Sequence, residues 1–508
     1  MLISVPFDAV LTYFGRDTLF TLKLLTANRV LSPIAVETVL SAALDRVNLT
    51  DGRVAHEETL GDYATFVNLG NGHPELGNNV FLDYKMQDTH FLLVPQLAAY
   101  LLDYNGTAAN TTGSGSGSDL PAFNATVPDA LGSNGTASLP LPLPLGGSNA
   151  TQANSTAFAL AFLNRTSTLQ GNSTTTYLDL LNANIGYILN LTSAFVTDAS
   201  YVNLVANEPG IPVGNWRDSN QGLGYGDRAY DVNAAHVPAA LHAIADLADA
   251  GLVLNATLAN STRAAARFWE EQAPALFVVQ VNETDASARL DDFLNRTALD
   301  QKLLFGKGSL NGTAGDAITL PGQSSEANRT FFALSLRDDG SAVETLHSDL
   351  GLALAFQRNV SRATISAATD LLAPFPAGLA TNVGLLCANP AYDSNRTNVD
   401  VFSREAYHGT VSWAFNAAFF ALGFARVKAV CGGGGGGRVG EADEADALLA
   451  ARMVRAEWCD DEELLERVEA AETMLWNGVN GASSGELPVT SLLFVTGTMT
   501  ELIACPLT

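Results

Sequence analysis

Apolar residues recur at helical spacing in segment after segment of this chain, and the segments pair through short turns. Gly15-Arg16-Asp17-Thr18 opens the first helix, with Asp17 or Thr18 as cap and Phe20, Leu22, Leu24 and Leu25 as a broad apolar face. Ser32-Pro33 starts its partner, where Val36, Val39, Leu40, Ala43, Leu44 and Val47 stay in register. The same period predicts helices over 90–102, 178–195, 237–248, 258–268, 343–358, 365–372, 411–422 and 442–475. Strand signals are few and short. Helical hairpins whose loops carry polar and aromatic residues predict an all-α fold, a toroid of antiparallel helix pairs in which the loops of one rim form a single cleft. No strict repeat of roughly 20–50 residues is visible, so a regular solenoid is the weaker alternative.

One domain is expected over residues 1–508, interrupted twice. From 105 to 152 the composition shifts to Gly, Ser, Thr, Asn, Pro and Ala, which marks a flexible, glycosylated, low-complexity insertion. Glycines at 432–437, next to Cys431, form a linker.

A net charge of −26 argues against nucleic acid and against an anionic membrane surface. No run of about 18 uncharged apolar residues occurs, so no membrane insertion is expected. Asn-x-Ser/Thr acceptors are dense, from Asn48 through Asn190 and Asn260 to Asn395, and nearly all carry threonine. Such a load predicts a secreted or secretory-pathway glycoprotein. The N-terminus lacks a basic region, and Pro6 and Asp8 break its apolar stretch, so no signal peptide is read there and Met1 is expected to be internal to a longer protein. Cys387, Cys431, Cys459 and Cys505 show no metal-binding spacing; one or two disulfides are expected, with no pairing readable, and no metal or cofactor.

Residues 214–235, GNWRDSNQGLGYGDRAYDVNAA, concentrate charge, aromatics and glycine in front of the helix at 237–248. Trp216, Arg217, Asp218, Tyr230, Asp231 and Asn233 lie in this stretch. An aromatic face beside carboxylates and guanidinium groups suits a polyhydroxylated ligand: the ring stacks on the C–H face and the charges take the hydroxyls. Other helix entrances add Arg16, Asp17, Glu57, Glu58, Lys85 and Asp88.

Several of these segments resemble a known family. YFGRDTL at 13–19 resembles the GRDT segment of the amylo-α-1,6-glucosidase domain of glycogen debranching enzymes. NWRDS, followed by YDVNA, resembles elements of processing α-glucosidases and trehalases, and YHGTVSWAFNAAFF at 407–420, with His408 and Trp413, is similar to a helix start in the same six-hairpin glycosidases. The resemblance implies an (α/α)6 toroid, truncated at both ends, that hydrolyses α-glucosidic bonds of oligo- or polysaccharides with inversion. It makes Asp218 the general acid and points to Glu486, in SSGELPV, as the base. Glycoside cleavage needs this pair: one carboxylic acid protonates the leaving oxygen and one carboxylate activates water. Trp216 would raise the Asp218 carboxyl, while an inward Arg217 would oppose it. Glu57, Glu58 and Glu405 are rival carboxylates, and His408 and His347 sit at helix starts, where structural roles compete. A carbohydrate-binding or cell-wall glycoprotein that has lost catalysis is the alternative. A polysaccharide lyase on the same scaffold is a third reading, and would use a Tyr/His pair.

Overall fold

A computed structural model of the chain describes residues 12–27, 31–70, 72–104, 151–169, 174–253, 255, 257–298, 328–381, 384–432, 453–454 and 456–480. The described residues are mostly helical. The helices are α1 (Gly15–Ala27), α2 (Pro33–Asp45), α3 (Gly61–Gly70), α4 (Gln87–Ala98), α5 (Thr151–Leu163), α6 (Tyr177–Thr197) and α7 (Val237–Asp249). After them come α8 (Leu258–Gln272), α9 (Glu283–Thr297), α10 (Leu350–Phe356), α11 (Arg362–Asp370), α12 (Asn398–Val401), α13 (Ala414–Gly432) and α14 (Glu462–Asn480). Their starts follow local chemistry. Ser32 accepts from Ala35 N in front of Pro33, Thr176 and Asp179 cap α6 reciprocally, and Asn282 and Ser361 cap α9 and α11.

One set of helices forms the middle of the molecule. α1 packs on α4, α4 on α7, the π-helical turn Asp231–His236 before α7 on α10, α10 on α13, and α13 back on α1. On their outside, α2 packs on α1 and α4, α6 on α4 and α7, α8 on α7, α11 on α10, and α14 on α13. The inner helices share a direction. Residues near their C-terminal ends, among them Thr26, Ala99, Phe356 and Arg426, line one cavity, while residues at their starts bond to one another. Between the two ends Phe20 fills the middle, with ring centroids 5.2 Å from Phe419, 5.8 Å from His236 and 6.0 Å from Phe415.

Short strands trim the rim where the inner helices begin. β1 (Thr12–Phe14), β2 (Glu57–Thr59) and β3 (Leu82–Asp83) form an antiparallel sheet in the order β1-β2-β3. Gly15 makes this junction possible: its N–H donates to His56 O at 2.6 Å, and a Cβ there would lie 2.4 Å from Ala55 O. Only glycine lets α1 start against β2, and that contact places Arg16.

Several element boundaries differ from the sequence reading. Helix was expected over 343–358, but Ala342–Val343 pairs with Ser335–Leu336 and Leu346–His347 pairs with Ala388–Asn389. Those pairings engage the backbone, so α10 starts only at Leu350. The helix expected over 442–475 is confined to α14: Glu457–Asp460 is a 3-10 turn, held by the Cys431–Cys459 disulfide and by Trp458 Nε1 donating to Val360 O at 2.8 Å. Residues 442–452 lie outside the described residues, as do 105–150 of the insertion and 433–437 of the linker. Thr151 and Gln152, read as insertion, begin α5. Helices α3, α5, α9 and the short α12 were not anticipated. Cys387 is buried and forms no disulfide, its Sγ accepting from Asn416 Nδ2 at 3.6 Å. The segment Ala414–Cys431 is long and apolar enough to cross a membrane by composition, yet it is packed between α10, α14 and α1 and carries the buried Arg426.

Candidate functional site

The starts of α1, α4, α7, α10 and α13 bring their polar residues together at one rim, and Asp218 stands at its centre with its side chain 32% exposed. Arg16, itself buried at the start of α1, donates from Nη2 to Asp218 Oδ2 at 2.7 Å and from Nη1 to Asn215 O at 3.0 Å. His408 places Nε2 at 3.7 Å from Asp218 Oδ1, while its Nδ1 lies 2.9 Å from Ser219 Oγ. Burial and the Arg217 and Arg16 charges hold His408 well below its ordinary value, so the ring is neutral. With the Ser219 hydroxyl as donor to Nδ1, the neutral ring carries its proton on Nε2, the nitrogen nearest Asp218. Asp218 is thus gripped from two sides and open on a third.

The neighbouring residue of the loop goes the other way. Arg217 is completely buried and donates to Asp349 from Nη2 at 2.8 Å and from Nε at 3.1 Å, with Nη2 also on Cys387 O at 2.8 Å. Trp216 Nε1 donates to the same carboxylate at 3.1 Å, and its ring stands edge-on to Phe415 and His408. Burial alone would raise Asp349, but Arg217 and His347 overcome it and hold the carboxyl below the usual range. Trp216 and Arg217 therefore support the loop from beneath; neither offers a face to a ligand.

Below Arg16 lies a floor of buried carboxyls. Asp88, completely enclosed, has Oδ2 3.6 Å from Arg16 Nε, and burial pushes it up to about 6. Asp231 accepts from Asn215 Nδ2 at 2.7 Å through one oxygen, and its other oxygen has no hydrogen-bond partner among the described residues. Burial and the Asp349 and Asp88 charges hold Asp231 well above the usual carboxylate range. Asp17 is raised as well, by burial first, with Arg16 opposing.

The sequence-based candidates now divide. Arg16, Asp17, Asp88, Asp218 and His408 are brought together, with Trp413 stacked on His408 at 6.1 Å and Tyr407, 59% exposed, edge-on to both rings. Tyr230 and Asn233 are wholly buried: Tyr230 packs on Phe277, Phe332 and His347, and Asn233 ties Val205 to Ala229. These two, with Asp231, Trp216 and Arg217, are corrected from ligand contacts to internal supports. Glu58 is likewise internal, ion-paired with Arg46 beneath the Tyr13 ring. Lys85 pairs with Asp83 rather than Asp88, at 2.5 Å. Glu405 pairs with Arg404 in the open, and His347 bonds Phe332 O within the core. Glu57 faces the rim, raised by burial and by the Asp83 and Asp218 charges. Glu486 lies outside the described residues. Asn215, Ser219, Asp349, Asp83 and Tyr407 were missed. Asp349, just ahead of an apolar helix, carried the clearest signal. No family model, no curated protein and no solved structure matches the chain.

Proposed function

We propose that the chain is a glycoside hydrolase built on an (α/α) toroid, cleaving α-glucosidic bonds of oligo- or polysaccharides by acid/base inversion in the secretory pathway. Asp218 carries the reading. It is a partly exposed carboxyl held by a buried guanidinium and a neutral imidazole, where the starts of the inner helices meet and beside the Trp413–Tyr407 aromatic pair. The closed order of inner-helix contacts and the shared direction of those helices favour the toroid. Helix N-termini carry partial positive charge, which favours a carboxylate-rich rim. Asp218 serves as the acid. Glu486 remains the proposed base; among the described carboxyls Asp17, Asp88 and Glu57 all feel the Asp218 charge, and Glu57 is paired with no arginine among the described residues.

The compartment rests on the acceptor asparagines. Asn164, Asn190, Asn255, Asn260, Asn282, Asn295, Asn328 and Asn395 are all exposed, and a disulfide joins α13 to the turn before α14. Both suit an oxidising lumen.

The Arg16 salt bridge favours a second reading, in which Asp218 binds sugar hydroxyls without chemistry. A lyase is disfavoured, because burial and the Asp218 and Asp17 charges push Tyr407 up to about 12, the wrong direction for a phenolate base. Incubation with α-linked disaccharides and maltooligosaccharides, with product anomers followed by NMR, tests the proposal. Inversion releases the β-anomer, and Asp218→Asn slows it by about 10²–10⁴-fold. The loss shrinks on glucosyl fluoride, whose leaving group needs no proton. An α-anomeric product sinks inversion, and silence across the panel, with retained glucan binding, selects the binding protein.

A further inference from the structure

The β2–β3 register sets a second constellation beside Asp218. Glu57 lies opposite Asp83, and His56 N donates to Asp83 O at 2.9 Å. The His56 imidazole, 4% exposed, turns Nδ1 to the same carbonyl at 3.3 Å. A carbonyl oxygen only accepts, so Nδ1 carries the proton and Nε2 presents its lone pair. That lone pair faces Glu57 Oε2 at 3.6 Å, and no other described group bonds Nε2. Two electron-pair donors facing each other at this distance leave a place that a cation can fill. A backbone carbonyl fixing the far nitrogen is also the usual support of a metal-bound histidine.

One ligand atom from each of His56, Glu57 and Asp83 lies within 4.8 Å of the others, with Asp83 Oδ1 3.8 Å from the Nδ1 edge of the ring. With bonds of about 2.0–2.1 Å, a nitrogen and an oxygen 3.6 Å apart subtend roughly 120° at a shared ion, close to tetrahedral. Glu57, a third exposed, makes no ion pair with a lysine or arginine among the described residues, since Arg46 is taken by Glu58 and Arg16 by Asp218 and Asp88. Lys85 supplies one positive charge, at Asp83 Oδ2, on a flexible side chain 36% exposed. It competes for the position and can swing out.

We propose that His56 Nε2, Glu57 and Asp83 bind a divalent transition-metal ion at the edge of the cleft. One imidazole with two carboxylates and no thiolate selects zinc or manganese over calcium, which prefers all-oxygen shells. Three protein ligands leave a coordination position for water or a ligand hydroxyl. The inference stands on this geometry alone and is independent of the glycosidase reading.

The test is isothermal titration of the whole chain, stripped with chelator, with zinc and separately with manganese, and with calcium as control. One ion per chain is expected. Glu57→Gln, at a position a third exposed where folding is least at risk, should weaken binding by more than the roughly 10–100-fold that even outer-shell losses cost. Lys85→Met should tighten binding several-fold by removing the competing ammonium, and Asp218→Asn should leave the stoichiometry unchanged. Pulsed electron paramagnetic resonance of the manganese form should show one imidazole nitrogen coupling. Absence of saturable binding, binding that survives Glu57→Gln, or a manganese spectrum without nitrogen coupling overturns the proposal. Each of these outcomes leaves the anomer experiment untouched.

Discussion

Removing the Asp349 carboxylate should cost the protein about 3–5 kcal/mol, the usual loss when one member of a buried ion pair is deleted. Asp349→Ala leaves the Arg217 guanidinium, wholly buried, without its counter-ion, and orphans the Trp216 indole N–H besides. An orphaned buried donor alone costs about 1–3 kcal/mol, but the two losses share one carboxylate and do not add. Urea denaturation followed by tryptophan fluorescence reads the change as a shift in midpoint at constant slope. Pairing the change with Arg217→Met should recover most of the loss, because no charge is then left unpaired. The pH dependence has a fixed sign. The folded-state carboxyl lies below its unfolded value, so its contribution is present above about pH 4 and disappears as pH falls towards the folded value. The gap between wild type and Asp349→Ala is therefore full at pH 7 and closes in acid. A loss under about 1 kcal/mol, the range of exposed ion pairs, would refute the enclosure of Arg217.

Asp88 carries the opposite sign. Burial raises it to about 6, so ionisation opposes folding, and wild type should lose up to about 3 kcal/mol relative to Asp88→Asn as pH rises from below about 4 to above about 6, read by denaturation at each pH. Glycopeptide mass spectrometry of protein from a secretory host should find glycan on exposed acceptors such as Asn190 and Asn260 and none on Asn359. The Asn359 Nδ2 donates to Glu270 Oε2 at 2.5 Å, and occupancy there would contradict that contact. Replacing the Cys431–Cys459 bond by serines should cost about 3–4 kcal/mol on the loop-entropy scale for a sequence separation of 28, measured by the same urea midpoints.

How far the sequence could be read depended on whether the deciding interaction was local. Ser32-Pro33 and the cap ahead of α6 act within four residues, and the period alone located α1, α2, α6, α7 and α8. Strands of two residues, such as Leu346–His347, are too short to alternate, and their partners lie far along the chain, so 343–358 read as helix. At the rim, residue type was legible and orientation was not. Arg217 and Asp218 are adjacent, yet one points inward because Asp349 waits 132 residues away and the other outward because Arg16 does, 202 residues away. The His56–Asp83 contact depends likewise on the register of β2 with β3, which no spacing in the sequence specifies.

The charge balance of the rim follows from these placements. Arg16 is in contact with Asp218 and Asp88, and Asp17 and Asp231 add to the field it feels. One guanidinium cannot neutralise four carboxylates, and the two that are wholly enclosed, Asp88 and Asp231, would cost several kcal/mol each if left ionised without a partner. Protons are the remaining countercharge. They settle where water is most completely excluded and hydrogen bonds are fewest. Asp231 answers that description best, with one oxygen unpartnered and burial and its neighbours raising it, and Asp88 comes next. A protonated Asp231 leaves Arg16 to divide its charge between Asp88, 3.6 Å from its Nε, and Asp218 Oδ2 at 2.7 Å. The buried aspartates thus act on the exposed one through the guanidinium between them, and the N-terminal ends of the inner helices, pointing at the same place, make the concentration of carboxyls there tolerable.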